Sequence, residues 1–217
     1  MNIISTPTGP LGTNTYIVYL EEGTPDAPAP CAVIDPANSK RVLDVLERHN
    51  LRASDILLTH GHFDHIMGVA ELKAAHGSRV MIHEKDANAL TGGEGSLAYM
   101  GGLFVKKCEV DRLLEDDDVI TAAGIAFRVI HTPGHTPGGV CFVNEDEKII
   151  FSGDTLFHLS VGRTDLPGGD GEQLYESIAY RLFPLRGDYR VLPGHEEETW
   201  LDFERKHNPF MKKSGMY

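Results

Sequence analysis

THGHFDH, residues 59–65, places three histidines and an aspartate within seven positions, directly after the apolar Ile56, Leu57 and Leu58. Imidazoles and carboxylates are costly to bury without partners, so a cluster of them at the end of an apolar run calls for a ligand. His60, His62, Asp64 and His65 stand at i, i+2, i+4 and i+5, a spacing that no single strand face can present. It suits a strand end that bends into a loop, and Gly61 supplies a residue able to bend there.

Three later stretches repeat the device, each ending an apolar run with a glycine and a metal-competent residue. They are TPGHT with His135, FSGDT with Asp154 and LPGHE with His195. A strand fixes position closely, and the glycine lets the next side chain fold back over the sheet edge. The resulting set is five imidazoles and two carboxylates: His60, His62, Asp64, His65, His135, Asp154 and His195. Such donors suit two first-row divalent ions with Asp154 between them; zinc is expected, and iron or manganese accept the same donors. His49, His76, His83, His131, His158 and His207 stand alone and read as hydrogen-bonded core or surface residues. Of these, His131 and His158 lie near ligand segments.

Periodicity places the motifs on secondary structure. TYIVYL (15–20) and CAVID (31–35) read as strands. Residues 39–49 read as a helix with Val42, Leu43, Val45 and Leu46 on one face and Ser39 as its cap. DILLTH is a buried strand, residues 66–76 a helix, VMIH (80–83) a strand, and the Gly-rich 88–108 a loop over a cleft. The second half repeats the order: VIT, an AAG turn, IAFRVIH, the GGVCFV–KIIFSGD hairpin, a helix over 171–183, the YRVLPG strand and a last short helix. Strands then helix, twice over, predict two sheets packed face to face with helices outside. This is a four-layer αββα sandwich, read as a single domain over residues 1–217.

Composition narrows the function. A hydrophobic fraction of 41% and a charged fraction of 24% are those of an ordinary soluble protein. No apolar run reaches a membrane-spanning length, and the N-terminus lacks the basic and apolar regions of a secretory signal, so a cytoplasmic protein is expected. A net charge of −12 argues against nucleic acid as a partner. Cys31, Cys108 and Cys141 form no CxxC pair and read as free thiols. With no GxSxG elbow, the nucleophile is expected to be a hydroxide held between the ions, with Asp64 orienting it. No general acid is evident near the cluster, which favours thioesters, whose thiolate leaves without a proton.

HGHFDH, PGHT, SGDT and PGHE, in this order, resemble the metallo-β-lactamase fold superfamily. GDTLF, GRTDLPGGD (162–170) and ERKHNPF resemble its short glyoxalase II-like hydrolases, which act on hydroxyacylglutathione. The resemblance implies one ion on His60, His62, His135 and Asp154, and a second on Asp64, His65, Asp154 and His195. It places Arg163 at the family's basic substrate contact, while Asp165 and Glu197 stand where two tyrosines would be. Asp165 and Arg163 are candidate substrate contacts, with mutual pairing as the plain alternative. The family's C-terminal helical substrate domain has no counterpart in the 22 residues after His195. The substrate implied is a small acyl thioester. The competing reading is a persulfide dioxygenase, which shares the fold and a GRTD stretch but uses one iron. β-Lactam hydrolysis is disfavoured because no cysteine lies beside a ligand motif.

Overall fold

Each half of the chain lays down one six-stranded sheet, and the two pack face to face. The computed structural model describes residues 1–211. The first sheet runs β1 (Asn2–Thr8), β2 (Thr13–Tyr19), β3 (Ala29–Ile34), β4 (Leu51–Leu57), β5 (Arg79–His83) and β6 (Arg112–Leu114), each bonded to the next. From β3 to β6 the pairing is parallel, so the chain must cross over outside the sheet between strands. α1 (Ser39–Arg48) makes the first crossover, and α2 (Phe63–Ile66) with α3 (Val69–His76) the second.

The second sheet draws on β7 (Val119–Ala122), β8 (Ile125–His131), β9 (Val140–Asn144) and β10 (Ile149–Gly153). A separate small hairpin, β11 (Leu156–Phe157) and β12 (Ser160–Val161), follows. After α4 (Gly171–Ser177) and one π-helical turn (Ile178–Leu182), β13 (Arg190–Pro193) and β14 (Thr199–Trp200) complete the sheet, and α5 (Leu201–His207) covers it. Its spatial order is β14-β13-β10-β9-β8-β7.

Side-chain alternation builds the layers. Tyr16, Val18, Ala32 and Ile34 face Phe127, Phe142 and Phe151 between the sheets. Their neighbours Ile17, Cys31 and Val33 face Val42, Val45, Leu46 and Leu72 of α1 and α3. On the far side Cys141, Val143, Ile150 and Val191 meet Leu174, Ile178, Leu182 and Leu201. Both faces of the central strands β2, β9 and β10 are buried, which is why they read as largely apolar runs. The architecture is the αββα sandwich.

Several local expectations change. β1 was not foreseen: it is an edge strand carrying Pro7, which an edge tolerates because one side of it makes no ladder. The cap of α1 is Asn38, not Ser39; its Oδ1 accepts from the Arg41 N–H at 3.0 Å. The helix expected from residue 66 begins inside the histidine cluster, as α2. It breaks at Gly68, where a Cβ would lie 2.6 Å from the Pro36 carbonyl oxygen, and resumes at Val69. The Gly-rich stretch holds short 3-10 turns, Glu84–Thr91, Glu94–Ser96 and Ala98–Gly101. Among the described residues no helix is long and apolar enough to cross a membrane.

Candidate metal centre

The seven residues singled out by sequence meet at one edge of the sandwich. His60 and His62 follow β4, and Asp64 and His65 sit on α2. His135 lies between β8 and β9, Asp154 follows β10 and His195 follows β13. Ligand atoms of His60, His62 and His135 lie within 4.8 Å of one another, as do those of Asp64, His65 and His195. Asp154 stands between the two groups: its Oδ1 is 3.4 Å from His65 Nε2, and its Oδ2 is 3.4 Å from His135 Nε2 and 3.6 Å from His195 Nε2.

Hydrogen bonds on the outer side fix how three imidazoles point. His65 Nδ1 donates to Asp35 Oδ2 at 2.9 Å, and His135 Nδ1 donates to the Arg163 carbonyl at 2.7 Å. Thr59 Oγ1 donates to Asp35 at 2.6 Å and so accepts from His60 Nδ1 at 3.1 Å. In each ring the outer nitrogen carries a proton, which directs Nε2 into the cluster. Thr13 Oγ1 donates to Asp64 Oδ2 at 3.1 Å.

The donor set fits divalent ions. His60 Nε2, His135 Nε2 and Asp154 Oδ1 are buried with no hydrogen-bond partner among the described residues, a combination that otherwise costs folding energy. Burial, helped by the neighbouring imidazoles, holds His60 well below its usual pKa and His62 down to about 3, so both stay neutral and able to donate a lone pair. Burial would also depress His65, but Asp154, Asp35 and Asp64 outweigh it and push the ring up to about 10. Burial would raise Asp64, yet its hydrogen bond to His195 and the charge of His65 hold it well below the usual carboxylate range. The carboxylates therefore favour positive charge between them, and an ion binding there would displace a proton.

The glycines serve two ends. Gly134 and Gly153 take φ of +133° and +49°, the turns expected from sequence. Gly194 has no such angle; it is required for close approach, since a Cβ there would fall 2.3 Å from Asp154 Oδ1.

Beside the cluster lies a cavity of about 430 Å³, floored by His62, Asp64, His135, Asp154 and His195. Leu11, Phe63, Leu97, Met100, Phe157 and Leu166 form much of its wall, so the Gly-rich stretch does contribute to the cleft. Arg163 also lines it, while its guanidinium makes a bidentate pair with Asp165 at 2.7 and 2.8 Å. Asp165 faces a neighbouring cavity instead. Glu197 accepts from His158 Nδ1 at 2.6 Å. His131 stacks on His83 with ring centroids 4.1 Å apart and donates from Nε2 to the Pro137 carbonyl at 3.0 Å. Cys31, Cys108 and Cys141 are buried and free.

Two buried carboxylates bonded to the ligand segments escaped the sequence reading. Asp35 closes the apolar run CAVID with φ +50°, and Asp86 sits in the turn after β5. An aspartate ending a fully apolar strand was the available signal for Asp35; nothing in HEKDAN marks Asp86.

An imidazole–carboxylate cluster of this kind at the shared edge of an αββα sandwich is the donor set of a metal-binding protein. The chain belongs to the metallo-beta-lactamase superfamily, whose family model matches residues 8–195. It is 32% identical to the hydroxyacylglutathione hydrolase GloC of Haemophilus influenzae, over 99% of this chain and 100% of that one. Among solved structures it is similar to the BLEG-1 B3 metallo-beta-lactamase, at 34% identity and a TM-score of 0.88, covering 97% of this chain and 100% of that one. It is 38% identical to TTHA1623 in a di-iron-bound form, with a TM-score of 0.80, covering 95% and 99% of the two chains.

Proposed function

We propose that this protein hydrolyses small acyl thioesters of the S-lactoylglutathione kind, using two divalent ions held on the seven clustered side chains. Support comes first from one observation: a small, largely apolar cavity opens directly onto the two ligand groups, with no buried acid in its described wall beyond the cluster itself. Its volume suits a small molecule rather than a polymer. His60, His62, Asp64, His65, His135, Asp154 and His195 would hold the divalent ions, which would supply a water of pKa lowered towards about 7 and a Lewis acid for an acyl carbonyl.

The protein's own groups do the rest. Asp64, kept ionised and hydrogen-bonded by Thr13, presents an acceptor oxygen to the cavity for orienting water. Asp154 and the outward-bonded imidazoles hold their donors in place without rearrangement. Beyond the cluster, the titratable groups lining the cavity are Arg163 and the exposed Glu196. Neither offers a buried acid to the leaving group, which favours one that departs as an anion. A thiolate does so readily, its thiol having a pKa near about 8.5; an amide nitrogen does not.

The likeness to GloC supports the same substrate class, and the di-iron form of TTHA1623 makes iron the main rival to zinc. A cytoplasmic protein that acts on small molecules, and not on nucleic acid or membranes, completes the reading. β-Lactam opening is the second reading, favoured by the likeness to BLEG-1. The test is a panel of S-lactoylglutathione, other acyl thioesters, a chromogenic β-lactam and a thiol persulfide, run on metal-loaded protein and on His135→Ala. Thiol release from the thioesters is expected, lost in His135→Ala together with bound metal. Faster β-lactam opening, or oxygen uptake with persulfide and no thioester cleavage, would overturn the proposal.

A further inference from the structure

Asp86 is buried, 5% exposed, and stands outside the seven-residue cluster. Its carboxylate is filled by three donors from two different loops. Oδ2 accepts from the Gly61 N–H at 2.9 Å and from Thr136 Oγ1 at 2.7 Å, and Oδ1 accepts from the Gly138 N–H at 2.7 Å. Gly61 lies between His60 and His62, while Thr136 and Gly138 follow His135. One carboxylate therefore ties the loop carrying two imidazoles of a group to the loop carrying the third.

The fit leaves no slack. A Cβ on Gly138 would lie 2.6 Å from Asp86 Cγ, and a Cβ on Gly61 would lie 3.3 Å from Asp86 Cβ. Both glycines are where the loops close down on the carboxylate. None of the Asp86 hydrogen bonds reaches Asp64, His65 or His195; Asp64 is held by Thr13 and His65 by Asp35, which also reaches His60 through Thr59. Asp35 thus serves both halves of the centre, whereas Asp86 bonds only to the two loops that carry His60, His62 and His135.

We infer that Asp86 is the positioning residue for the ion held by His60, His62 and His135, and that it acts on this subsite and not on the one formed by Asp64, His65 and His195. The inference rests on the two-ion reading above. Outer-layer groups that orient ligands change metal affinity by roughly 10–100-fold when removed.

Asp86→Asn keeps the size of the side chain but turns one acceptor into a donor, opposing either the Gly138 N–H or the Gly61 N–H. Titration of apo protein with Co²⁺, alongside elemental analysis after dialysis, reads the outcome. Wild type should take up two equivalents, and Asp86→Asn should keep one unchanged while the other weakens by roughly 10–100-fold. Added to His195→Ala, Asp86→Asn should leave neither ion tightly held; added to His135→Ala, it should change nothing further. Thr136→Val, which removes one donor of the three, should weaken the same ion by less. Two unaltered equivalents in Asp86→Asn, or equal weakening of both, would overturn the inference alone. A wild-type chain that takes up fewer than two ions would instead overturn the two-ion reading, and this inference with it.

Discussion

Gly194→Ala probes how tightly the centre is built. The added methyl would lie 2.3 Å from Asp154 Oδ1 and 2.7 Å from His65 Cε1, against an ordinary contact near about 3.5 Å. The backbone cannot swing aside, because the Gly194 N–H donates to the Gly153 carbonyl at 2.9 Å and its own carbonyl accepts from Asn14 N–H at 2.7 Å. Asp154 must therefore move by roughly 1 Å, and a misplacement of that size costs about 10²-fold in rate. That corresponds to about 2.7 kcal/mol on the barrier. Overpacking should cost a further 1–3 kcal/mol of stability, on the order of, read as a lower Tm. Gly77→Ala is the control. Gly77 ends α3 with φ +68° and open space around its Cα, so alanine there should cost about 1 kcal/mol of stability and leave kcat/KM unchanged. Paired measurements of kcat/KM, bound metal and Tm decide the matter. Wild-type turnover with full metal in Gly194→Ala would refute the packing argument.

Met100→Ala, or removal of the loop tip around it, should raise KM and spare metal content, since Met100 lines the cavity and is not one of the seven clustered side chains; loss of metal would contradict that role. Arg163→Gln should leave Tm unchanged, because the guanidinium and Asp165 are both at the surface, and should raise KM for anionic thioesters if Arg163 meets substrate; an unaltered KM would return it to a structural turn. Metal-stripped protein should lose stability in acid. Burial holds His62 down to about 3 and His83, with help from His131, to about 4, so the unfolded chain binds protons that the folded one refuses. The contribution of these two rings is complete above about pH 6.5 and is lost as pH falls towards those values. Urea titrations at pH 7, 5 and 4 read this, and His83→Gln should make the fall shallower; an identical pH profile would count against the assignment.

Much of the centre was legible because its chemistry is written locally. Each of the seven side chains follows an apolar run and adjoins a glycine or, in THGHFDH, another donor, so the pattern marks strand ends, and strand ends of a sandwich gather at one edge. The layers were legible for a related reason: runs such as CAVID and KIIFSGD have both faces buried. What escaped depends on partners distant in sequence. Asp86 gains its meaning only when Gly61, 25 residues earlier, and Gly138, 52 residues later, close on it. Asp35 likewise needs His65 and Thr59. β1 is half polar and holds a proline, so nothing but its pairing with β2 makes it a strand. Gly194 looked like a turn residue and proves to be a gap left for Asp154, a distinction that lies in three dimensions.

The central claim is that two ions on this cluster, and no organic nucleophile, make the protein a hydrolase. Elemental analysis and thioester hydrolysis on one purified sample, before and after chelation and metal restoration, test it most directly. The account predicts two ions per chain, activity that disappears with them and activity that returns when they do. Undiminished hydrolysis by metal-stripped protein would contradict it.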